Sequence, residues 1–268
     1  MINKELVLFY LRKFRKHVLI VSLSSGLLMF FLTIMFPSMD ISNAKGISSS
    51  WPQLMKDMFG DPLFGFTDIY GWLQLELFHI TFWVLFGIFA SFLAANIVAR
   101  EYENKTIDLL LSLPVSRTEL IVNRLIGLFI LLFISILPTI IGCILGIFVL
   151  GLEIKLLLLL LASLSGFLLC LLYAGITLLI SLFTRSQTVS ILISMAVFGF
   201  FFLFSNMIIP VIPAFENIAV VSPFHYYDSA SILIRNSYSL TNPAVLFIGF
   251  AVVLLISSYL FNRKDIIY

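Results

Sequence analysis

Six apolar stretches, each long enough to cross a bilayer as a helix, recur along this chain at about residues 18–36, 76–99, 125–150, 156–183, 188–210 and 244–261. A hydrocarbon core about 30 Å thick is spanned by about 20 helical residues at about 1.5 Å each. A water-soluble domain has room for one core and cannot hide six such runs. The composition agrees, since 61% of residues are hydrophobic and 11% are charged, against about 25% charged in an ordinary soluble domain. The fold class is therefore all-α, a polytopic membrane protein with six transmembrane helices in a single transmembrane domain over 1–268.

An even number of spans puts both termini on one side. The basic residues Lys4, Arg12, Lys13, Arg15, Lys16, Arg100, Lys105, Arg117, Arg124, Arg185, Arg263 and Lys264 fall on that side, against Lys45, Lys56, Lys155 and Arg235 on the other. By the positive-inside rule both termini are cytoplasmic. Residues 1–17 place Ile2, Leu6, Phe9, Tyr10 and Phe14 at helical spacing among the basic residues. This predicts an N-terminal interfacial helix lying among headgroups, with an elbow into the first span. The same start resembles the charged and apolar regions of a signal peptide, but its 19-residue run is long for one and no Ala-x-Ala pattern follows, which predicts an uncleaved span.

Pro138 predicts a kink in the third span. Gly151–Lys155 and Thr184–Gln187 read as short turns, and Pro210, Pro213 and Pro223 break the chain into short helices over 214–242. Asn242 and Pro243 read as N-cap and first residue of the last helix. Asn96 and Asn206 read as interhelical hydrogen-bonding residues rather than ligand contacts, the Phe198–Phe204 cluster as lipid-facing filler ahead of an apolar pathway lining or a dimer seam, and Cys143 and Cys170 as packing residues.

Chemistry is sparse. The sequence holds no Gly-x-x-x-x-Gly-Lys-Ser/Thr phosphate loop, no His-Glu-x-x-His and no Gly-x-Ser-x-Gly, and His17, His79 and His225 are scattered. No catalytic, metal or cofactor residues are assigned, and a net charge of +2 with no basic face argues against nucleic acid. Ion-coupled transporters and channels commonly keep ionisable groups at mid-membrane depth, each costing about 2.5–3.5 kcal/mol. Here only Glu76 and His79, at the outer edge of the second span, qualify, and they read as interfacial residues reached by water. A secondary transporter or channel is thus disfavoured, while a non-transporting membrane assembly factor stays open.

The most informative segment is 100–120, Arg-Glu-Tyr-Glu-Asn-Lys-Thr-Ile-Asp-Leu-Leu-Leu-Ser-Leu-Pro-Val-Ser-Arg-Thr-Glu-Leu. Thr106, Leu109, Leu110 and Leu113 share one helical face, Pro114 ends that helix, and Ser116 with Glu119 forms a capping box stapled by Val115 and Leu120. A short helix outside the membrane, joined by a rigid corner to a span, suits a push from a soluble partner. An amphipathic loop resting on headgroups accounts for the same residues, and physical reasoning leaves the two open.

The run Glu101–Arg117 resembles the segment after the second span of ABC type-2 transporter permeases, Glu-x-x-x-Gly/Lys-Thr-x-x-x-Leu-x-x-x-Pro-x-Ser-Arg. The six-span plan and the closing Phe-Asn-Arg-Lys-Asp-Ile also resemble that family. The resemblance implies the membrane subunit of an ATP-binding cassette exporter in a cell membrane, bacterial or archaeal. It implies a coupling helix between spans 2 and 3, with Glu101, Thr106, Leu113, Pro114, Ser116 and Arg117 docking on the ATPase subunit and Arg185 as a lesser contact. It further implies two ATP-binding subunits, which carry the ATP and Mg, and a second permease copy forming a homodimer. This chain then holds no cofactor, and its substrate does not follow from the likeness.

Overall fold

The computed structural model describes residues 3–38, 49–50, 68–106 and 116–263, and among these the backbone is helical with no strand. In chain order the elements are α1 (Lys4–Met35), α2 (Ile69–Ala95), the short α3 (Ala99–Glu103), α4 (Arg117–Leu150), α5 (Leu156–Ser181), α6 (Gln187–Val211), the short α7 (Pro223–Tyr226) and α8 (Ser229–Leu233), and α9 (Thr241–Arg263). Among the described residues, α1, α2, α4, α5, α6 and α9 are the six helices long and apolar enough to cross a membrane.

Two parallel helix groups build the bundle. The first is α1 against α4. Asn3 donates its backbone N–H to Asn123 Oδ1 at 2.8 Å near the start of both helices, and Thr139 donates to Ser25 at 2.8 Å further along. Gly26, Gly142 and Gly146 let the backbones touch. A Cβ on Gly142 would overlap the Gly26 carbonyl, and one on Gly146 would sit 2.7 Å from Thr33 Cβ. In lipid, where apolar burial drives no association between helices, such close backbone approach is what holds a pair together. Pro138 remains inside the continuous α4, its carbonyl packed on Gly26. The second group is α2, α5 and α9. Ser91 and Thr177 hydroxyls bond at 2.8 Å, Gly87 faces the Tyr173 ring and Gly166 the Phe82 ring, and Gly175 meets Phe250. On this group α6 lays Phe198 over Tyr173, with centroids 3.6 Å apart, and Phe202 against Trp83.

Several expectations change. No elbow separates residues 1–17 from the first span, because α1 is one helix of 32 residues. At about 1.5 Å per residue it is about 48 Å long, more than hydrocarbon needs, so its basic first turns extend beyond the membrane core. The second span begins at Ile69, and the Glu76 and His79 pair lies in a π-helical turn over Gln74–His79. Among the described residues the Asn96 and Asn206 amides bond no other helix but the Phe92 and Phe202 carbonyls one turn back, at 2.7 and 3.0 Å. The Phe198–Phe204 cluster divides by helical face, with Phe198 and Phe202 in the core and Phe200 and Leu203 exposed. The last helix starts at Thr241 rather than after Asn242, with the Ser239 hydroxyl accepting from Thr241 N at 3.4 Å.

The predicted turns and short helices stand. Gly151, at φ 65°, closes α4 with Leu152 N bonded to the Ile147 carbonyl and Gly151 N to that of Phe148. This is a Schellman cap, which favours glycine at the left-handed position. A 3₁₀ helix over Pro213–Val221, then α7 and α8, fill the stretch before α9.

Candidate functional site

The residues singled out by sequence gather at the end of the bundle where α2 finishes and α4 begins. Leu113 and Pro114 fall in 107–115, outside the described residues, so the geometry concerns the two stems of that segment.

The first stem is α3 and its cap. Lys105 has φ 57°, Thr106 N bonds the Glu101 carbonyl at 2.9 Å, and Lys105 N bonds the Tyr102 carbonyl at 3.1 Å. This is a second Schellman cap, here with lysine at the left-handed position that glycine occupies most easily. The cap aims the Thr106 hydroxyl back at Glu101, whose Oε2 accepts from it at 2.5 Å. Glu101 Oε1 lies 3.1 Å from Arg124 Nη2 on α4 and 3.5 Å from Lys13 Nζ on α1.

Glu101 is 7% exposed and Arg124 6%. Burial by itself would raise the Glu101 carboxyl. The Thr106 hydrogen bond, Arg124 and Lys13 outweigh it and hold the group below the usual carboxylate range. Arg124 also donates to the Ile97 carbonyl at 2.8 Å, and Tyr10 donates to the Leu93 carbonyl at 2.7 Å, which satisfies backbone acceptors released where α2 gives way to α3.

The second stem is the start of α4. The Ser116 hydroxyl accepts from Glu119 N at 3.1 Å, the predicted N-cap. Arg117 donates to the Phe261 carbonyl at 3.3 Å, and Asn262 donates to the Thr118 hydroxyl at 2.8 Å, so the end of α9 is fastened here. A further turn joins from α6, where Arg100 donates to Gln187 Oε1 at 2.8 Å and Gln187 N to Glu103 Oε2 at 2.9 Å. Arg185, in that turn, is exposed. Burial pushes the Tyr102 phenol up, and nearby Arg117 and Arg185 draw it back, so both arginines stand within electrostatic reach of one ring.

The structure thus joins Glu101 to Thr106 and brings Arg117 and Arg185 around Tyr102. It turns Glu101 inward, as an anchor beneath the segment, while Ser116 is exposed and Arg117 half-buried. Sequence reasoning missed Arg124, Lys13 and Gln187. The signal for Arg124 was there, since a cation one residue before a long apolar run is seldom buried unless paired.

A sequence profile of the ABC-2 family transporter proteins matches residues 8–266. Two relatives, each named as a probable multidrug ABC transporter permease YbhS, from Escherichia coli K12 and O157:H7, are 31% identical over 187 residues. The match covers 62% of this chain and 47% of each relative, so it spans about half of their length. With the profile running through all six apolar helices, this chain is a multi-pass membrane protein and belongs to the ABC-2 transporter family.

Proposed function

We propose that this chain is the membrane subunit of an ATP-binding cassette exporter, worked by a separate ATPase subunit that grips residues 100–120. In this reading both termini and the segment are cytoplasmic, two permease copies form the pathway, and two ATP-binding subunits sit beneath them. ATP and Mg belong to those subunits.

One observation carries the reading most strongly. Both stems of 107–115 are fixed corners, a Schellman cap at Thr106 and a serine cap at Ser116, and the first is tied by Glu101 to both α1 and α4. A loop that merely rests on headgroups needs no such foundation. A lever does, because a load on a frayed joint would dissipate in local unfolding. Within the lever Leu113, Pro114, Ser116 and Arg117 form the docking face, Arg185 adds a contact from the neighbouring turn, and Glu101 with Thr106 anchors the base.

The test is Arg117→Glu, which reverses charge on the docking face. The expected result is a membrane-inserted protein that no longer co-purifies with its ATPase and no longer supports substrate-stimulated ATP hydrolysis. Retention of both would remove the docking role. Cysteines at Lys105 and Lys155 should label from opposite faces of sealed cells, and labelling from one face would overturn the topology.

A further inference from the structure

A cavity of about 190 Å³ opens at the opposite end of the bundle, lined by Ser165 of α5, Tyr226, Asp228, Ser231, Tyr238, Asn242 and their neighbours. We propose that it binds a small organic cation with a single ammonium group, held against the Asp228 carboxylate between the rings of Tyr226 and Tyr238.

The lining decides the charge of the ligand. It contains one carboxylate, several hydroxyls and an amide, and no Lys, Arg or His. Among the described residues one Asp228 oxygen is committed to the fold, Oδ1, which accepts from Ser231 N at 3.0 Å to cap α8. The other remains for a ligand. Ser165 adds a polar group to the wall. The residue as a whole is 2% exposed, and it lines the cavity. A hydroxyl at the cavity wall offers a hydrogen-bond partner to a ligand held there, as donor or acceptor.

The walls are built rather than incidental. Asn236 at φ 53° turns the chain so that Ser237 donates twice to the Ser231 carbonyl, from N at 3.0 Å and from Oγ at 3.2 Å. Ser239 and Thr241 hydroxyls bond at 2.6 Å at the start of α9. Tyr238 lies in this turn and lines the cavity together with Tyr226, whose ring packs on His225 with centroids 5.1 Å apart. Two aromatic side chains and one carboxylate in the same lining favour an ammonium head, through cation–π attraction and a counter-charge. A neutral ligand would leave the carboxylate uncompensated.

Placing this site on the outer face rests on the topology proposed above, but binding does not depend on it. Tritiated choline titrated onto the full chain in lipid nanodiscs, which expose both faces, should bind saturably. Unlabelled choline should displace it, and the uncharged isostere 3,3-dimethylbutan-1-ol should not. Asp228→Asn keeps a cap-accepting oxygen and removes the charge, so it should weaken binding about tenfold or more with the unfolding midpoint unchanged. If that variant unfolds early, Tyr238→Leu decides instead, with a loss of about fivefold expected. Absence of saturable binding, equal competition by the isostere, or wild-type affinity in the deciding variant overturns the proposal. None of these readouts involves the ATPase, so failure here is separate from failure of the coupling reading.

Discussion

Removing the Glu101 carboxylate tests the anchor beneath the segment directly. At 3.1 Å, an effective dielectric near 20 gives the Glu101–Arg124 pair about 5 kcal/mol of gross attraction. Lys13 at 3.5 Å adds a comparable gross attraction, but its side chain is 32% exposed and water screens much of that. Desolvation of the buried charges offsets most of the total, so the intact cluster contributes little net stability. Truncation is different. Glu101→Ala leaves Arg124 buried with one hydrogen bond, to the Ile97 carbonyl, and an uncompensated buried charge costs about 3–5 kcal/mol. Arg124→Met in the same background removes that charge, and Lys13 can turn to water. The double variant should therefore recover about 1–3 kcal/mol relative to the sum of the single changes. The assay is unfolding of the purified protein by SDS in mixed micelles, followed by helical circular dichroism. A Glu101→Ala change within about 0.5 kcal/mol of wild type, as for a surface position, or strict additivity with Arg124→Met, refutes the reasoning.

Three other outcomes follow from the geometry. Lys105→Gly should be stabilising by about 1 kcal/mol or less, and Lys105→Val clearly destabilising in the same assay, because φ is 57° there. Gly142→Ala should cost about 1–3 kcal/mol by driving α1 from α4, whereas Gly199→Ala, with nothing within 4 Å, should gain a few tenths up to about 1 kcal/mol. The pH profile should follow the depressed Glu101 carboxyl, whose contribution is full above the unfolded value of about 4.3 and is lost as pH falls through the lower folded value. SDS midpoints should thus be steady from pH 7 to about 5 and drop below about 4, with a smaller drop in Glu101→Gln.

Span number and the Ser116 cap were legible because hydropathy and capping are local signals, written in consecutive residues. What sequence could not supply was side-chain direction. Asn96 looks like an interhelical donor until its helix offers the Phe92 carbonyl one turn back. The phenylalanines at 198–204 look alike in sequence but alternate between core and surface by helical phase. The role of Glu101 was hidden for another reason. Its partners Lys13 and Arg124 come from two other helices, and nothing local pairs them with it. Resemblance marked Glu101 and Thr106, and only the geometry explains their spacing: a Schellman cap returns the Thr106 hydroxyl to the carboxylate five residues earlier.

The two helix groups lead to a last prediction, about which parts move together. The glycine contacts and the Ser25–Thr139 bond fasten α1 to α4 over much of their length, while Ser91–Thr177 fastens α2 to α5. Force entering at Ser116 acts on the first residues of α4, which runs unbroken to Leu150, about 50 Å away at about 1.5 Å per residue. It should carry α1 along, because the two backbones meet directly at Gly26 and Gly142 and the Thr139 hydroxyl is bonded to Ser25. A disulfide between α1 and α4 should therefore leave function intact. In a background lacking Cys143 and Cys170, Ser25→Cys with Thr139→Cys replaces hydroxyls that meet at 2.8 Å across the pair, which makes it the natural place for the cross-link. With its ATPase partner bound, the oxidised pair should keep substrate-stimulated hydrolysis at the reduced level. If oxidation abolishes stimulation and reduction restores it, α1 and α4 shift against each other during the cycle, and the rigid pair is wrong.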